Sequence, residues 1–137
     1  MEHHLTTYIT HDTLISALGF GTQENLEAIR SYHSGITLQT DKRIADTPLL
    51  AATLSQERLQ QQAEAIGVSG YPRIEQLFIL TINELIRQSG QTLEDKTCGL
   101  ILSTTKGNID LLARHTEHPD EAVFLWKMAE NIAGYFH

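Results

Sequence analysis

The residues of this chain that could take part in chemistry lie in three places. Cys98 is the single cysteine, and a thiolate is a strong nucleophile where its surroundings favour ionisation. The run STTKGN at 103–108 sets small polar side chains directly after an apolar stretch. His115 and His118 are three residues apart in RHTEHPD. These patterns raise the questions of a nucleophile, a substrate loop and a metal site.

Cys98 is interpreted as a structural residue. It stands at the entrance of the apolar run 99–102, and not between a strand and a helix N-terminus, where a thiolate would be stabilised. A free cysteine in a protein interior usually behaves as a small hydrophobic side chain. We therefore expect a buried and unreactive thiol, because apolar surroundings disfavour the thiolate.

The loop residues Thr104, Thr105, Lys106 and Gly107 are the candidates for a substrate pocket. The apolar run before them is typical of a strand covered on both faces, as in a parallel sheet, and ligands bind at the carboxyl ends of such strands. The alternative is that Lys106 simply points into solvent from a surface loop. The run is not a phosphate-binding loop, because it lacks the first glycine and the Gly-Lys-Ser/Thr order.

The paired histidines are interpreted as residues of a solvated loop. A proline and polar neighbours surround His115 and His118, and the further ligands at hand would be Glu117 or Asp120. A zinc site needs a defined ligand set with supporting hydrogen bonds. We therefore predict no metal, and no cofactor.

Length, composition and charge describe an ordinary globular protein. The chain has 137 residues, of which 41% are hydrophobic and 20% charged, enough for one core. A formal net charge of -7 argues against a nucleic-acid partner, which would require a basic surface, and against an anionic membrane. No apolar run approaches the roughly 20 residues that span a bilayer, and MEHHLTTYIT lacks a secretory pattern. We expect a cytoplasmic protein without an internal disulfide.

The N-terminal third is expected to hold a strand and a helix. Residues 5–10 mix β-branched and aromatic side chains and predict a short strand, and the glycines of ISALGFGT predict a turn. Thr22 would cap a helix from 23 to about 31, and Gly35 would end it in a left-handed conformation.

The middle of the chain contains an ambiguous segment at 37–54. Thr47 as a cap with Pro48 at the first position would open a helix, and a short strand or an extended edge fits equally well. Ser55 would then cap a helix that ends at Gly67.

Two further helices have clearer apolar faces. The longer runs from Pro72 to Gly90 and carries its apolar residues at helical spacing, namely Ile74, Leu77, Phe78, Ile82, Leu85 and Ile86. Ile79 and Leu80 widen that face, which predicts a helix buried between layers. Asp120 would cap the last helix, whose apolar face consists of Leu125, Met128, Ala129, Ile132, Ala133 and Phe136.

Taken in order, the motifs resemble the N-terminal part of a β-ketoacyl-[acyl-carrier-protein] synthase, a condensing enzyme of the thiolase fold. The matching segments are TYITHDTLISALGFGTQENLEAIRSYHSGI (7–36), EQLFILTINELIRQSG (75–90), CGLILSTTKGNIDLL (98–112) and MAENIAGYF (128–136). The resemblance rests on their order and spacing. It implies an α/β fold in which residues 1–137 are an incomplete portion of the synthase domain, part of the N-terminal half of a thiolase-like five-layer α-β-α-β-α structure.

The resemblance also implies an acyltransferase activity. Family members load an acyl group onto a cysteine at the start of a helix and condense it with the carbanion of decarboxylated malonyl-carrier protein. Two histidines and a backbone oxyanion hole assist these steps. In the family the cysteine follows a short strand beyond the position of His137, and the histidines come later. The resemblance thus implies that these residues contain no catalytic group, that the chain alone is inactive and that it is a fragment of a longer enzyme.

The implied partners are acyl carrier protein and acyl or malonyl thioesters, in a cytoplasmic homodimer that serves fatty acid or polyketide-like synthesis. Carrier proteins are acidic and dock on basic patches, for which Arg58 and Arg73 are the nearby candidates. Lys106 departs from the family, where the matching position usually holds an apolar gate. A short or polar acyl group is therefore more plausible than a long saturated one.

Two other functions stay open. The chain could be a non-catalytic dimerisation or scaffold module, or an inactive partner that sets chain length for an active synthase. In isolation we expect it to expose a large apolar patch and to self-associate.

Overall fold

The computed structural model describes residues 6–94, 96–114 and 120–137. These residues form a small mixed α/β domain with two antiparallel hairpins and four α-helices. The first hairpin pairs β1 (Ile15–Ser16) with β2 (Gly19–Phe20), and the second pairs β3 (Ile36–Gln39) with β4 (Leu49–Ala52). The α-helices are α1 (Thr22–Arg30), α2 (Gln56–Ala65), α3 (Arg73–Ser89) and α4 (Leu125–Tyr135). Two 3₁₀ helices, Ile109–Arg114 and Glu121–Val123, lie between α3 and α4.

One buried amide fastens the first hairpin to α1. Asn25 is 1% exposed, and its Nδ2 donates to the carbonyl oxygens of Leu14 at 3.2 Å, Gly19 at 3.0 Å and Gly21 at 2.8 Å. The first hairpin approaches α1 so closely that position 19 requires a glycine, because a Cβ at Gly19 would lie 2.6 Å from Cγ of Glu24. The sequence GFGT therefore forms a tight junction between strand and helix.

The core lies among α2, α3 and α4. Its buried hydrophobic residues are Ala63, Val68, Ile79, Ile82, Met128 and Ile132. Every residue of α3 from 74 to 86 is buried or half-buried. The predicted burial between layers is confirmed only in part, since Glu75, Ile79 and Ile82 alone are buried and the helix packs against α2 and α4. Pro72 precedes it, and Gly90 ends it with a φ of 66°, both as predicted.

The predictions around α2 are confirmed, and those around α1 only in part. Ser55 caps α2 by accepting from the N–H of Arg58 at 3.2 Å, and Gly67 follows with a φ of 75°. In the ambiguous segment 37–54 the strand alternative is correct. Thr22 is the first residue of α1 instead of its cap, and its hydroxyl donates to Oδ2 of Asp12 at 2.7 Å.

Two strand predictions are wrong. Residues 6–10 are exposed and irregular, and Leu5 lies outside the described residues. The run 99–102 is irregular too: Leu102 packs against the core, whereas Ile101 is 95% exposed. The physical reason is that the run lies beside α4 and pairs with no strand of the described part of the chain.

Two predicted helix boundaries, the end of α1 and the start of α4, are also wrong. The left-handed residue after α1 is Tyr32, with a φ of 56°, and not Gly35. The side chain of Asp120 accepts from the N–H of Ala122 at 3.0 Å and so caps the short 3₁₀ helix, while α4 begins after Phe124. The chain therefore turns earlier than Gly35 indicates, and α4 begins later than the Asp120 cap signal indicates.

Candidate functional site

The loop 103–108 is held in shape by its own threonine. Oγ1 of Thr104 accepts from the N–H groups of Lys106 at 3.3 Å and of Gly107 at 3.0 Å. Such a hydroxyl-to-backbone turn satisfies donors that the irregular backbone leaves unpaired. Gly107 then adopts a φ of 58° and lies so close to α4 that a Cβ would be 2.7 Å from Cδ2 of Leu125.

A largely apolar groove runs between the start of this loop and α4. It has a volume of about 610 Å³. Its walls are formed by Leu100, Leu102, Ser103, Thr104, Leu125, Trp126, Met128, Ala129, Glu130 and Ala133. Trp126 is 59% exposed and stacks on Phe124 with the ring centroids 6.4 Å apart. We call this feature the α4 groove.

The far end of the loop is anchored by a buried polar cluster. Glu75, in the first turn of α3, and Asn108 are both 0% exposed. Nδ2 of Asn108 donates to Oε1 of Glu75 at 2.7 Å and to the carbonyl of Ala122 at 2.7 Å. Nδ2 of Asn131 on α4 lies 3.4 Å from Oε1 and 3.3 Å from Oε2 of Glu75. We call Glu75, Asn108 and Asn131 the Glu75 cluster; it joins the loop to α3 and α4.

Burial dominates the electrostatics of this cluster. Loss of solvent raises the pKa of Glu75 above its ordinary value of 4.5, while the hydrogen bonds from Asn108 and Asn131 act in the opposite direction. Oδ1 of Asn108 is buried without a hydrogen-bond partner among the described residues. An acceptor left unpaired in a low-dielectric interior is costly, so the donor contacts of the same amide must outweigh it.

The candidate pocket residues lie in different surroundings. Thr104 borders the α4 groove, Thr105 and Lys106 are exposed, and Gly107 is buried against α4. The exposure of Lys106 agrees with the solvent-facing alternative for that side chain. The pocket assignment of the four residues stays a prediction.

The expectation of a buried Cys98 is wrong. Its thiol is exposed, because the segment around it does not join a sheet and only Leu102 of the following run packs against the core. Cys98 lines a depression with Leu93, Lys96 and Phe136. His115 and His118 lie outside the described residues.

The two candidate docking arginines differ in the side chains that they contact. Arg58 is paired with Glu24, its Nη2 lying 3.0 Å from Oε2, and its guanidinium lies 4.8 Å from the centroid of the Phe20 ring. Arg73 is exposed at the start of α3. The amide oxygen of Gln56, in its hydrogen-bonding orientation, accepts from Nη2 and Nε of Arg73 at 3.1 Å each. An acidic partner would therefore compete with a carboxylate for Arg58 and with a neutral amide for Arg73.

The sequence interpretation missed the Glu75 cluster, although a signal for it is present. Glu75 is spaced four and seven residues from Ile79 and Ile82, which places a carboxylate on the apolar stripe of α3. A charged residue in such a register is almost never buried without hydrogen-bond partners. The partners could not be located from sequence, because Asn108 and Asn131 are 33 and 56 residues away.

The described residues contain no group of three or more His, Cys, Asp or Glu side chains placed to bind a metal ion. Among the helices in the described part of the chain, none combines the length and the hydropathy that a bilayer crossing needs. Comparison with known proteins gave no matching family, no matching curated protein and no matching solved structure.

Proposed function

We propose that this chain is the N-terminal part of a β-ketoacyl-[acyl-carrier-protein] synthase, whose thiolase-like fold is completed by polypeptide beyond residue 137. The proposal rests first on the order of the four motif segments from 7–36 to 128–136. It draws further support from the 103–108 loop, which borders an apolar groove at one end and is fastened by the Glu75 cluster at the other. Among the structural observations, that anchored loop is the one that supports the proposal most directly.

In this proposal the chain shapes the acyl site and does not perform the chemistry. The nucleophilic cysteine and both histidines belong to the later part of the enzyme. Thr104 and its neighbours would border the acyl group, and the α4 groove would receive its apolar portion.

The test uses the complete native reading frame. The encoded protein, supplied with acyl- and malonyl-carrier protein, should release CO₂ and form a β-ketoacyl product. Replacing the downstream cysteine at a helix start by alanine should abolish condensation, whereas the control Cys98→Ser should leave it within about twofold, because this thiol takes no part in the chemistry. A frame without such a cysteine, or an intact protein without turnover, would contradict the proposal.

A second candidate is a non-catalytic dimerisation or scaffold module, favoured by the exposed second hairpin. Ile36 is 57%, Leu38 63% and Leu50 71% exposed, and exposed apolar patches often mark interaction surfaces. A reading frame that codes for no synthase residues, together with a stable dimer that loses association on Leu50→Ser, would favour this candidate. Turnover by the complete protein would exclude it as the main function.

A further inference from the structure

We infer that the Glu75 cluster is a proton-controlled latch, which holds the 103–108 loop on α3 and α4 when Glu75 is protonated and loosens it when Glu75 is ionised. This inference does not depend on the proposed function, because the attachment of the loop can be measured in the chain itself.

As placed, the amides of Asn108 and Asn131 donate to Glu75, and a turn of one amide lets a neutral carboxyl keep a hydrogen bond at each oxygen. The carbonyl of Ala122 fixes the orientation of the Asn108 amide, so its Nδ2 remains a donor to Oε1 of Glu75. Oε2 faces Asn131 at 3.3 Å. Turning the Asn131 amide about its Cβ–Cγ bond presents Oδ1, which accepts the proton carried by Oε2. Both oxygens of the neutral carboxyl are then bonded.

The ionised state is less well accommodated. Glu75 is fully buried, and the two amides supply dipoles but no positive charge. The first turn of α3 favours an anion only modestly. A buried carboxylate in such surroundings relaxes by admitting water, and our inference assigns the accompanying movement to the loop, which ends at Asn108.

No charge on the surrounding elements compensates Glu75 within the described residues. Charged side chains on the packed elements and on α3 itself, other than Glu75, are Glu57, Arg58, Glu64, Arg73, Glu84, Arg87, Lys106, Asp110, Asp120, Glu121, Lys127 and Glu130. Lys127, the cation of α4, is paired with Glu130 at 2.7 Å. The shift of the Glu75 pKa has burial as its first cause, and the charges of these groups are not among its causes.

The direction of the response follows from linkage. A carboxyl whose pKa is raised in the folded state binds its proton more tightly there than in the unfolded chain. Stability is therefore highest below the ordinary value of 4.5 as far as this group is concerned, and it falls as pH rises from there to the folded pKa. Each unit by which the pKa of Glu75 in the attached state exceeds that in the loosened state corresponds to roughly a tenfold change in the latch equilibrium.

The direct experiment is an NMR pH titration of the chain. The ¹³Cδ signal of Glu75 should titrate with a midpoint above 4.5, and the amide of Gly107 and the side-chain amide of Asn108 should follow with the same midpoint. Trp126, the single tryptophan, reports on the α4 groove beside the loop. Its emission should change over the same interval.

Glu75→Gln is the matching variant, because the glutamine amide reproduces the neutral hydrogen-bond pattern. In this variant the signals of Gly107 and Asn108 should stay near their low-pH positions at every pH. Glu57→Gln, at an exposed position of α2, should leave the titration unchanged. A Glu75 midpoint at or below 4.5, or loop signals that do not follow Glu75, would overturn the latch; the wild-type titration decides this even if Glu75→Gln does not fold.

Discussion

The Gly107→Ala substitution should show how closely the 103–108 loop packs against α4. Gly107 has a φ of 58° and Gly90 a φ of 66°, so alanine meets a similar left-handed strain at both positions. That strain costs about 1–2 kcal/mol. The two sites differ in their space: a Cβ at Gly107 would lie 2.7 Å from Cδ2 of Leu125, whereas at Gly90 it meets nothing within 4 Å.

The extra cost at Gly107 is the displacement of one side chain. Leu125 is 54% exposed and can leave its rotamer for about 0.5–1.5 kcal/mol. We therefore expect Gly90→Ala to lower the free energy of unfolding by about 1–2 kcal/mol and Gly107→Ala by about 1.5–3.5 kcal/mol. In a Leu125→Ala background the difference between the two variants should vanish, because the clashing methyl group is gone.

Urea unfolding followed by circular dichroism gives these values directly. Gly70→Ala is the control, since a Cβ there meets nothing within 4 Å and the backbone does not need a left-handed φ; it should change the free energy of unfolding by less than about 0.5 kcal/mol. If Gly107→Ala were no more destabilising than Gly90→Ala, or if the excess persisted in the Leu125→Ala background, the described loop contact would be wrong.

Three further outcomes follow from the same structure. Ile79→Ala should lower the free energy of unfolding by about 2–5 kcal/mol, because Ile79 is 0% exposed in the core; urea unfolding measures this loss. The hydrogen bond from Arg58 lowers the pKa of Glu24 to about 2, so the pair stabilises the chain at neutral pH and loses that effect as pH falls from 4.5 towards about 2. Since both side chains are more than a third exposed, Glu24→Gln should cost no more than about 1 kcal/mol at pH 7, and a loss independent of pH would contradict this assignment. Finally, Leu38→Ser with Leu50→Ser should weaken self-association in sedimentation experiments, because both leucines are exposed on the second hairpin; unchanged association would locate the contact elsewhere.

Local signals in the sequence predicted the helices well. The Ser55 cap, Gly67, Pro72 and Gly90 act within one turn of their own position, so their physics is contained in a few neighbouring residues. The apolar spacing of α3 likewise needs no distant partner to be recognised.

The Thr22, Gly35 and Asp120 signals misplaced helix boundaries by a few residues. The larger errors arose where a residue's state depends on distant elements. The run 99–102 is apolar enough for a strand, but a strand also requires a neighbour to pair with, and periodicity does not supply one. Cys98 is exposed for the same reason, because the segment that contains it pairs with no strand of the described residues. Glu75 was overlooked because its hydrogen-bond partners come from the loop and from α4, and only the folded chain brings them together.

The central proposal is tested most directly by acylation of the complete native protein. After incubation with acetyl-coenzyme A or acetyl-carrier protein, intact-mass spectrometry and peptide mapping should find one acetyl group, on a cysteine that follows residue 137. Cys98, though exposed, should remain unmodified. Acylation confined to Cys98, or no acyl-enzyme at all, would contradict the assignment of this chain to a condensing enzyme.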